Sequence, residues 1–330
     1  MIEDEKVDPK KIAQYHNILW KIRKEIAKIV VGQENVVTAL TVGLLANGHL
    51  LVEGIPGIAK TLLLRTLAQT TGGKFSRIQF TVDLLPTDIT GLTAYDPNRG
   101  FFIVKGPIFG NFVLADEINR APPKSQSALL EAMQEKQVTI GKETFLLELP
   151  FFVMATQNPI ETSGVYPLPE AQIDRFLFKI YMGFPSKEEE RKIIRQNITL
   201  KQFEDYKIQP IINPNVLVEM QETVKKIYLS EEIEKYIINI VDATRNPRDY
   251  NIELGKYIEY GASPRASIGL FIASKANALV QGKNFVTPQH VKEVAYLVLR
   301  HRILLNYEGK ADNIRTDKII SEILAKVPVP

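Results

Sequence analysis

The sequence predicts a three-layer α/β domain with a mostly parallel sheet, followed by a smaller all-helical domain. Three observations predict it. Short apolar runs recur at His49 to Glu53, Arg77 to Thr81, Phe112 to Ala115, Phe151 to Thr156 and Phe178 to Tyr181. Helical patterns separate several of these runs, as parallel strands joined by crossover helices require. The first run opens a strand, loop, helix unit, and beyond about residue 200 the strand signals fade into helical patterns alone. The predicted boundaries are 1–200 for the α/β core and 201–330 for the helical domain.

Taken in order, Lys10 to Val31 places Ile12, Tyr15, Ile18, Leu19, Ile22, Ile26 and Ile29 at helical spacing, one amphipathic helix with Trp20 expected in the core. A second helix, 33–47, ends at Gly48, a residue that tolerates left-handed backbone. Between Thr81 and Asn111 the pattern breaks into Pro, Gly, Asp and Thr around one β-like run, Phe101 to Val104, which predicts an inserted loop and hairpin. Gln137 to Leu149 alternates around Gly141-Lys142 and predicts a second hairpin. Ser186-Lys187-Glu188-Glu189 is a capping box, and Glu188 with Lys192 is a favourable pair four apart, so this charge run is a solvated helix start. Helical patterns follow near 215–227, 230–244, 263–281, 287–303 and 316–326, with Thr287-Pro288 as a cap and first-turn proline.

Composition narrows the function. The 330 residues carry 41 Lys plus Arg against 38 Asp plus Glu, a net charge of +3 that argues against polyanion binding by bulk charge. With 45% hydrophobic and 24% charged residues the chain is an ordinary globular protein. The absence of cysteine excludes disulfides, thiolate metal sites and cysteine nucleophiles. His16, His49, His290 and His301 have no ligand spacing, so packing or surface roles are expected. The charged amino terminus lacks the apolar stretch of a secretion signal, and no run approaches ~18 apolar residues, so a cytoplasmic protein without membrane insertion is expected.

Three segments carry chemistry. Gly54-Ile55-Pro56-Gly57-Ile58-Ala59-Lys60-Thr61 lies where a strand meets a helix and resembles a phosphate-binding loop, with Ala59 in place of the second glycine. Such a loop turns backbone N–H groups and a helix N-terminus toward phosphates, with Lys60 against the β and γ oxygens and Thr61 on Mg²⁺. The alternative is a glycine-rich turn that merely caps a helix, which the loop's position between strand and helix disfavours. Phe112 to Asp116 is a buried run ending in the adjacent carboxylates Asp116 and Glu117, placed by its polarity at the carboxyl end of a strand, where α/β sheets bind ligands. There Asp116 would hold Mg²⁺ through water and Glu117 would deprotonate an attacking water. Phe151 to Thr156 turns polar at Gln157-Asn158, where Asn158 is able to position that water or contact the γ-phosphate; before Pro159 it also suits a turn.

With Leu114 to Pro123, Ala155 to Pro159, Tyr166 to Gln172 and Arg300-His301-Arg302-Ile303, the phosphate-type loop resembles the MoxR family of AAA+ ATPases from about Val31 to about Tyr307. The resemblance implies ATP and Mg²⁺ as cofactors, an ATP-hydrolysing core with a helical lid, and self-association into a ring, usually of six subunits. It also implies a chaperone or maturation role toward client proteins, commonly ones with a von Willebrand factor A type domain. Residue by residue it assigns Gly54 through Lys60, Thr61 and Leu62 to the nucleotide, Asp116 to the metal, Glu117 to the base and Asn158 to the first sensor. Val31-Gly32-Gln33 would lie along the adenine, Arg175 would be presented to the neighbouring subunit's γ-phosphate, and Arg265 would be the lid arginine that senses nucleotide. Arg175 adjoins Asp174, so a local pair is the plainer alternative, and Arg120 is a further candidate across the interface. Val82 stands where the family often has proline, a departure that puts no catalytic residue in doubt. Phe101-Phe102 and Lys142, in the two hairpins, are expected by analogy to face a pore, or are simply exposed tips. A nucleic-acid remodelling motor, which the charge balance disfavours, and a nucleotide-gated scaffold with little turnover are the rival functions.

Overall fold

The computed structural model describes residues 7–98, 100–160, 164–196 and 202–330. The predicted 200/201 boundary and the first six residues lie outside them. Two helices, α1 (Pro9–Ile26) and α2 (Glu34–Leu45), precede strand β1 (Leu50–Gly54), helix α3 (Lys60–Thr70) and strand β2 (Phe75–Gln79). A short helix α4 (Pro86–Thr90) leads into the antiparallel hairpin β3 (Gly91–Asp96) and β4 (Gly100–Lys105). Strand β5 (Phe112–Asp116), helix α5 (Pro123–Glu135) and a second hairpin, β6 (Gln137–Ile140) with β7 (Glu143–Leu146), come next. Strand β8 (Phe152–Gln157), α6 (Glu170–Ile173), β9 (Phe178–Met182) and α7 (Lys187–Gln196) complete the α/β region.

The five strands β2, β5, β8, β1 and β9 pair in that order, all parallel. Alternation along each strand divides the core in two. Leu50, Val52, Phe112, Leu114, Phe152 and Met154 face one apolar cluster. Leu51, Val113, Ala115, Val153 and Ala155 face the other, formed with α5 and the hairpins. Burial of both faces explains why the central strands β1, β5 and β8 read as near-continuous apolar runs, whereas the edge strands β2 and β9 expose Arg77 and Tyr181. β2 falls at 75–79 rather than 77–81, because the chain leaves the ladder after Gln79 and only Phe80 N–H continues it, to the Asp116 carbonyl.

The carboxy-terminal region comprises α8 (Pro214–Lys225), α9 (Glu231–Arg245), β10 (Ile258–Tyr260), α10 (Pro264–Val280), α11 (Pro288–Leu299), β11 (Leu304–Leu305), α12 (Tyr307–Ala311) and α13 (Thr316–Lys326). It is not all-helical: β10 and β11 form a small antiparallel pair. The two strands are too short to give a periodic signal. Its apolar residues join those of α1, α2 and one sheet face in a single cluster, with α10 running against both α1 and α2.

Two local expectations are corrected. Trp20 is not core but half exposed, with the Lys24 ammonium 3.7 Å from its ring centre, since Tyr15, Leu19 and Ile22 already fill the buried stripe of α1. Glu188 pairs with Arg191, three residues on, rather than with Lys192. The Ser186 capping box is present, Glu189 accepting from the Ser186 N–H at 2.6 Å.

Candidate functional site

The parallel register brings three of the chemical segments to one edge of the sheet. Val52 lies beside Thr156 and Glu53 beside Gln157, while Gln79 lies beside Asp116 on the other flank. The loop after β1, the carboxylates after β5 and Asn158 after β8 therefore emerge together at the carboxyl ends of adjacent strands. This is the general ligand-binding position of an open α/β sheet.

The loop geometry suits close approach of a phosphate chain. Gly57 adopts φ +82° and a Cβ there would meet no atom within 4 Å. Ala59, at φ +66°, carries the left-handed turn that leads into α3, with Lys60 and Thr61 as its first residues. A Cβ on Gly54 would stand 2.7 Å from the Met182 carbonyl, so glycine is required where β1 meets β9. Lys60 Nζ donates to the Gly54 carbonyl at 2.7 Å. Burial lowers the Lys60 pKa, while the nearby charges of Asp116 and Glu117 pull it back up.

Each acidic group has its own protein partners. Asp116, buried, accepts from Thr156 Oγ1 at 2.7 Å through Oδ1 and from Arg77 Nη2 at 2.6 Å through Oδ2. Thr156 Oγ1 also accepts from the Glu117 N–H at 2.8 Å, so one hydroxyl braces both acids. Glu117 adopts φ +56°, which turns its side chain out of the strand direction. Its Oε2 accepts from Gln79 Nε2 at 2.9 Å and Arg120 Nη1 at 3.1 Å. Asn158 is buried and its Oδ1 accepts from the Ile160 N–H at 3.2 Å, the turn-forming bond expected before Pro159.

The segment Val31-Gly32-Gln33 borders the same edge. Gln33 Nε2 donates to the Gly183 carbonyl, just past β9, at 3.0 Å. Gly32, at φ +70°, lies so close to the Glu189 carboxylate that a Cβ would collide with it. The donor set of backbone N–H groups, one lysine, a threonine hydroxyl and a buried carboxylate is chemically suited to a nucleoside triphosphate with Mg²⁺.

Two candidates lie elsewhere. Arg175 and Arg265 are exposed and line one cleft with Asn47, Gly48 and Asp174, beside the residues that precede β1 and β9. That is the amino edge of the sheet. Pairing of Leu50 with Phe178 and of Gly54 with Met182 makes the sheet about 13 Å deep here, four strand steps of ~3.3 Å. Neither arginine is on the phosphate-loop edge of its own chain. The bland reading of Arg175 as a partner of Asp174 is not what the structure holds: Asp174 pairs with Arg302 at 2.8 Å and Arg265 at 3.8 Å. Arg175 Nη1 instead reaches the Leu130 carbonyl at 3.5 Å.

Sequence reasoning missed Arg77, Gln79 and Thr156. Arg77 and Gln79 are two apart on a strand, a spacing that puts both on one face. Of the histidines, His49, His290 and His301 are buried and hydrogen-bonded. No helix among the described residues is long and apolar enough to cross a membrane.

Comparison with known proteins agrees with this geometry. The model of the ATPase family associated with various cellular activities (AAA) matches residues 49–178, and the AAA lid domain matches 254–323. Chaperone MoxR1 of Mycobacterium tuberculosis is 49% identical over 309 residues, covering 93% of this chain and 81% of that protein. Protein MoxR of Paracoccus denitrificans is 30% identical over 97% of this chain and 98% of its own length. A crystal structure from Cytophaga hutchinsonii superposes with TM-score 0.91 at 48% identity, covering 97% of both chains. The α/β core, the lid and these relatives together place the chain in the MoxR family of AAA+ ATPases.

Proposed function

We propose that this protein is a Mg²⁺-dependent ATPase that hydrolyses ATP to ADP and phosphate and uses the cycle to remodel or mature partner proteins. The observation that carries the reading is the meeting of Lys60, Asp116, Glu117 and Asn158 at the carboxyl ends of the adjacent strands β5, β8 and β1. Gly54 to Leu62 cradle the triphosphate, Lys60 exchanges the Gly54 carbonyl for phosphate oxygens, and Gly32 and Gln33 border the base. Thr61 and Asp116 would hold Mg²⁺, which would supply positive charge to the triphosphate. Glu117 accepts a proton from the water that attacks the γ-phosphorus, while the bond to the β-phosphate oxygen breaks and ADP leaves with its electron pair. Asn158 orients that water.

Arg175 and Arg265, on the amino edge, serve the phosphates of an adjacent subunit. Such a division makes turnover depend on assembly, in keeping with the ring, usually of six, that the family likeness implies. Clients with a von Willebrand factor A type domain follow from the same likeness. One observation favours slow turnover without a partner: Glu117 is held twice, by Gln79 and by Arg120. A client that raises the rate supports a waiting ATPase, and a flat response across clients supports a nucleotide-gated scaffold.

The test is steady-state ATP turnover of wild type and Glu117→Gln at equal assembly. The substitution is expected to lower the rate ~10²- to 10⁴-fold with nucleotide still bound. A loss below tenfold removes Glu117 as the base.

A further inference from the structure

The Arg300-His301-Arg302 run contributes nothing to the phosphate-loop edge, yet all three side chains bind the segment that carries Arg175. Arg300 Nη1 donates to the Lys179 carbonyl at 3.3 Å and His301 Nε2 to the Phe176 carbonyl at 3.1 Å. Arg302, 6% exposed, uses every guanidinium N–H. Nε bonds Asp174 Oδ1 at 2.8 Å, Nη2 bonds the Asp174 and Phe176 carbonyls at 3.0 and 2.8 Å, and Nη1 bonds the Leu177 and Val298 carbonyls. Burial lowers its pKa to about 10, and Asp174 opposes that shift.

The same carboxylate also reaches the start of α10. Asp174 Oδ2 accepts from Ser263 Oγ at 2.9 Å and lies 3.8 Å from Arg265 Nη1. Ser263 is the cap position of α10 and Arg265 its second residue, so the carboxylate also sits at the positive end of that helix. One acid therefore touches the two elements that present the exposed arginines: it is the chain neighbour of Arg175 and the ionic partner of Arg265. A purely structural anchor for Arg302 has no need of the second oxygen's contacts with α10.

We propose that Asp174, neutralised by buried Arg302, is a positioning residue that holds Arg175 and Arg265 as one unit for the neighbouring subunit's ATP. This rests on the across-subunit role given to the two arginines above. Asp174→Asn keeps the shape and the Ser263 bond but removes the charge that faces both Arg265 and buried Arg302. Because an unpaired buried cation destabilises the fold, its turnover is compared only with samples of wild-type melting and assembly, and Ser263→Ala, which leaves the Arg302 pair intact, serves as the second variant. Because an ångström of misplacement costs about 10²-fold, turnover of the assembled variant is expected to fall about 10- to 100-fold. Its own phosphate loop lies on the opposite edge, so its affinity for Mg·ATP is expected to stay within about twofold.

The deciding experiment mixes variants before assembly. Lys60→Ala subunits have no working phosphate loop but an intact arginine edge. Mixing them with Asp174→Asn is expected to give more turnover than the two separately, because Asp174→Asn sites then face intact arginines; Ser263→Ala, a milder change, should behave alike with a smaller deficit. Arg175→Ala mixed with Lys60→Ala is the reference. Full turnover of pure Asp174→Asn overturns the proposal, as does failure of both Asp174→Asn and Ser263→Ala to recover while Arg175→Ala recovers. If Arg175→Ala also fails to recover, the across-subunit reading falls instead.

Discussion

The two edges of the parallel sheet are built differently. At the carboxyl edge, three candidate groups are held by partners that a ligand has to displace or rearrange: Lys60 by a carbonyl, Asp116 by the half-exposed Arg77, Glu117 by Gln79 and Arg120. At the amino edge, Arg302 and His301 are buried and their bonds go mainly to backbone carbonyls that no ligand replaces. Exchangeable contacts suit a site that binds and releases nucleotide. Fixed contacts suit a surface whose value lies in the placement of two arginines relative to another molecule.

The contrast is broken or sharpened most strongly at Arg175. Arg175→Ala is expected to lower turnover of the assembled protein ~10³- to 10⁵-fold while Mg·ATP affinity is unchanged. A loss of affinity with normal turnover would mean that Arg175 serves its own chain's nucleotide. At the other edge, Thr156→Val preserves volume but removes the hydroxyl that braces Asp116 and the Glu117 backbone. About a tenfold loss in kcat is expected, with little change in the assembly measured by sedimentation, since the strand itself stays apolar.

A smaller effect probes the rigidity of the amino edge through acid. His49 donates from Nε2 to the Met133 carbonyl and accepts from the Val153 N–H at Nδ1, both at 3.1 Å, and burial pushes its pKa down to about 4. The unfolded histidine, near 6.5, takes up a proton first as pH falls, so stability is complete above that value and is lost on acidification toward 4. The contribution is of the order of 3 kcal/mol. Chemical denaturation between pH 7 and 4.5 should show His49→Gln with a flatter acid slope than wild type; identical slopes would place the acid sensitivity elsewhere.

The sequence made the carboxyl edge legible because its groups sit at strand ends, where an apolar run turns polar in one step, as at Ala115-Asp116 and Thr156-Gln157. The insertion between Thr81 and Asn111 was legible from its break into Pro, Gly, Asp and Thr, and the second hairpin from its alternation around Gly141-Lys142. The amino edge was less so. The roles of Asp174 and Arg302 depend on bringing together residues 128 apart, and a motif shows residue types without the edge on which they emerge. Arg77 and Gln79 were hidden inside a run read only for its strand character. The β10–β11 pair was too short to signal, and Trp20 shows that one apolar side chain at the margin of a helical stripe does not decide its own burial.

The most direct measurement is a crystal structure of assembled Glu117→Gln with ATP and Mg²⁺. Each triphosphate is expected against Lys60, Thr61, Asp116 and Asn158 of one subunit, with Arg175 and Arg265 supplied by the next. A triphosphate bound by the Arg265 of the same chain, or one away from Asp116 and Lys60, would contradict the two-edge design.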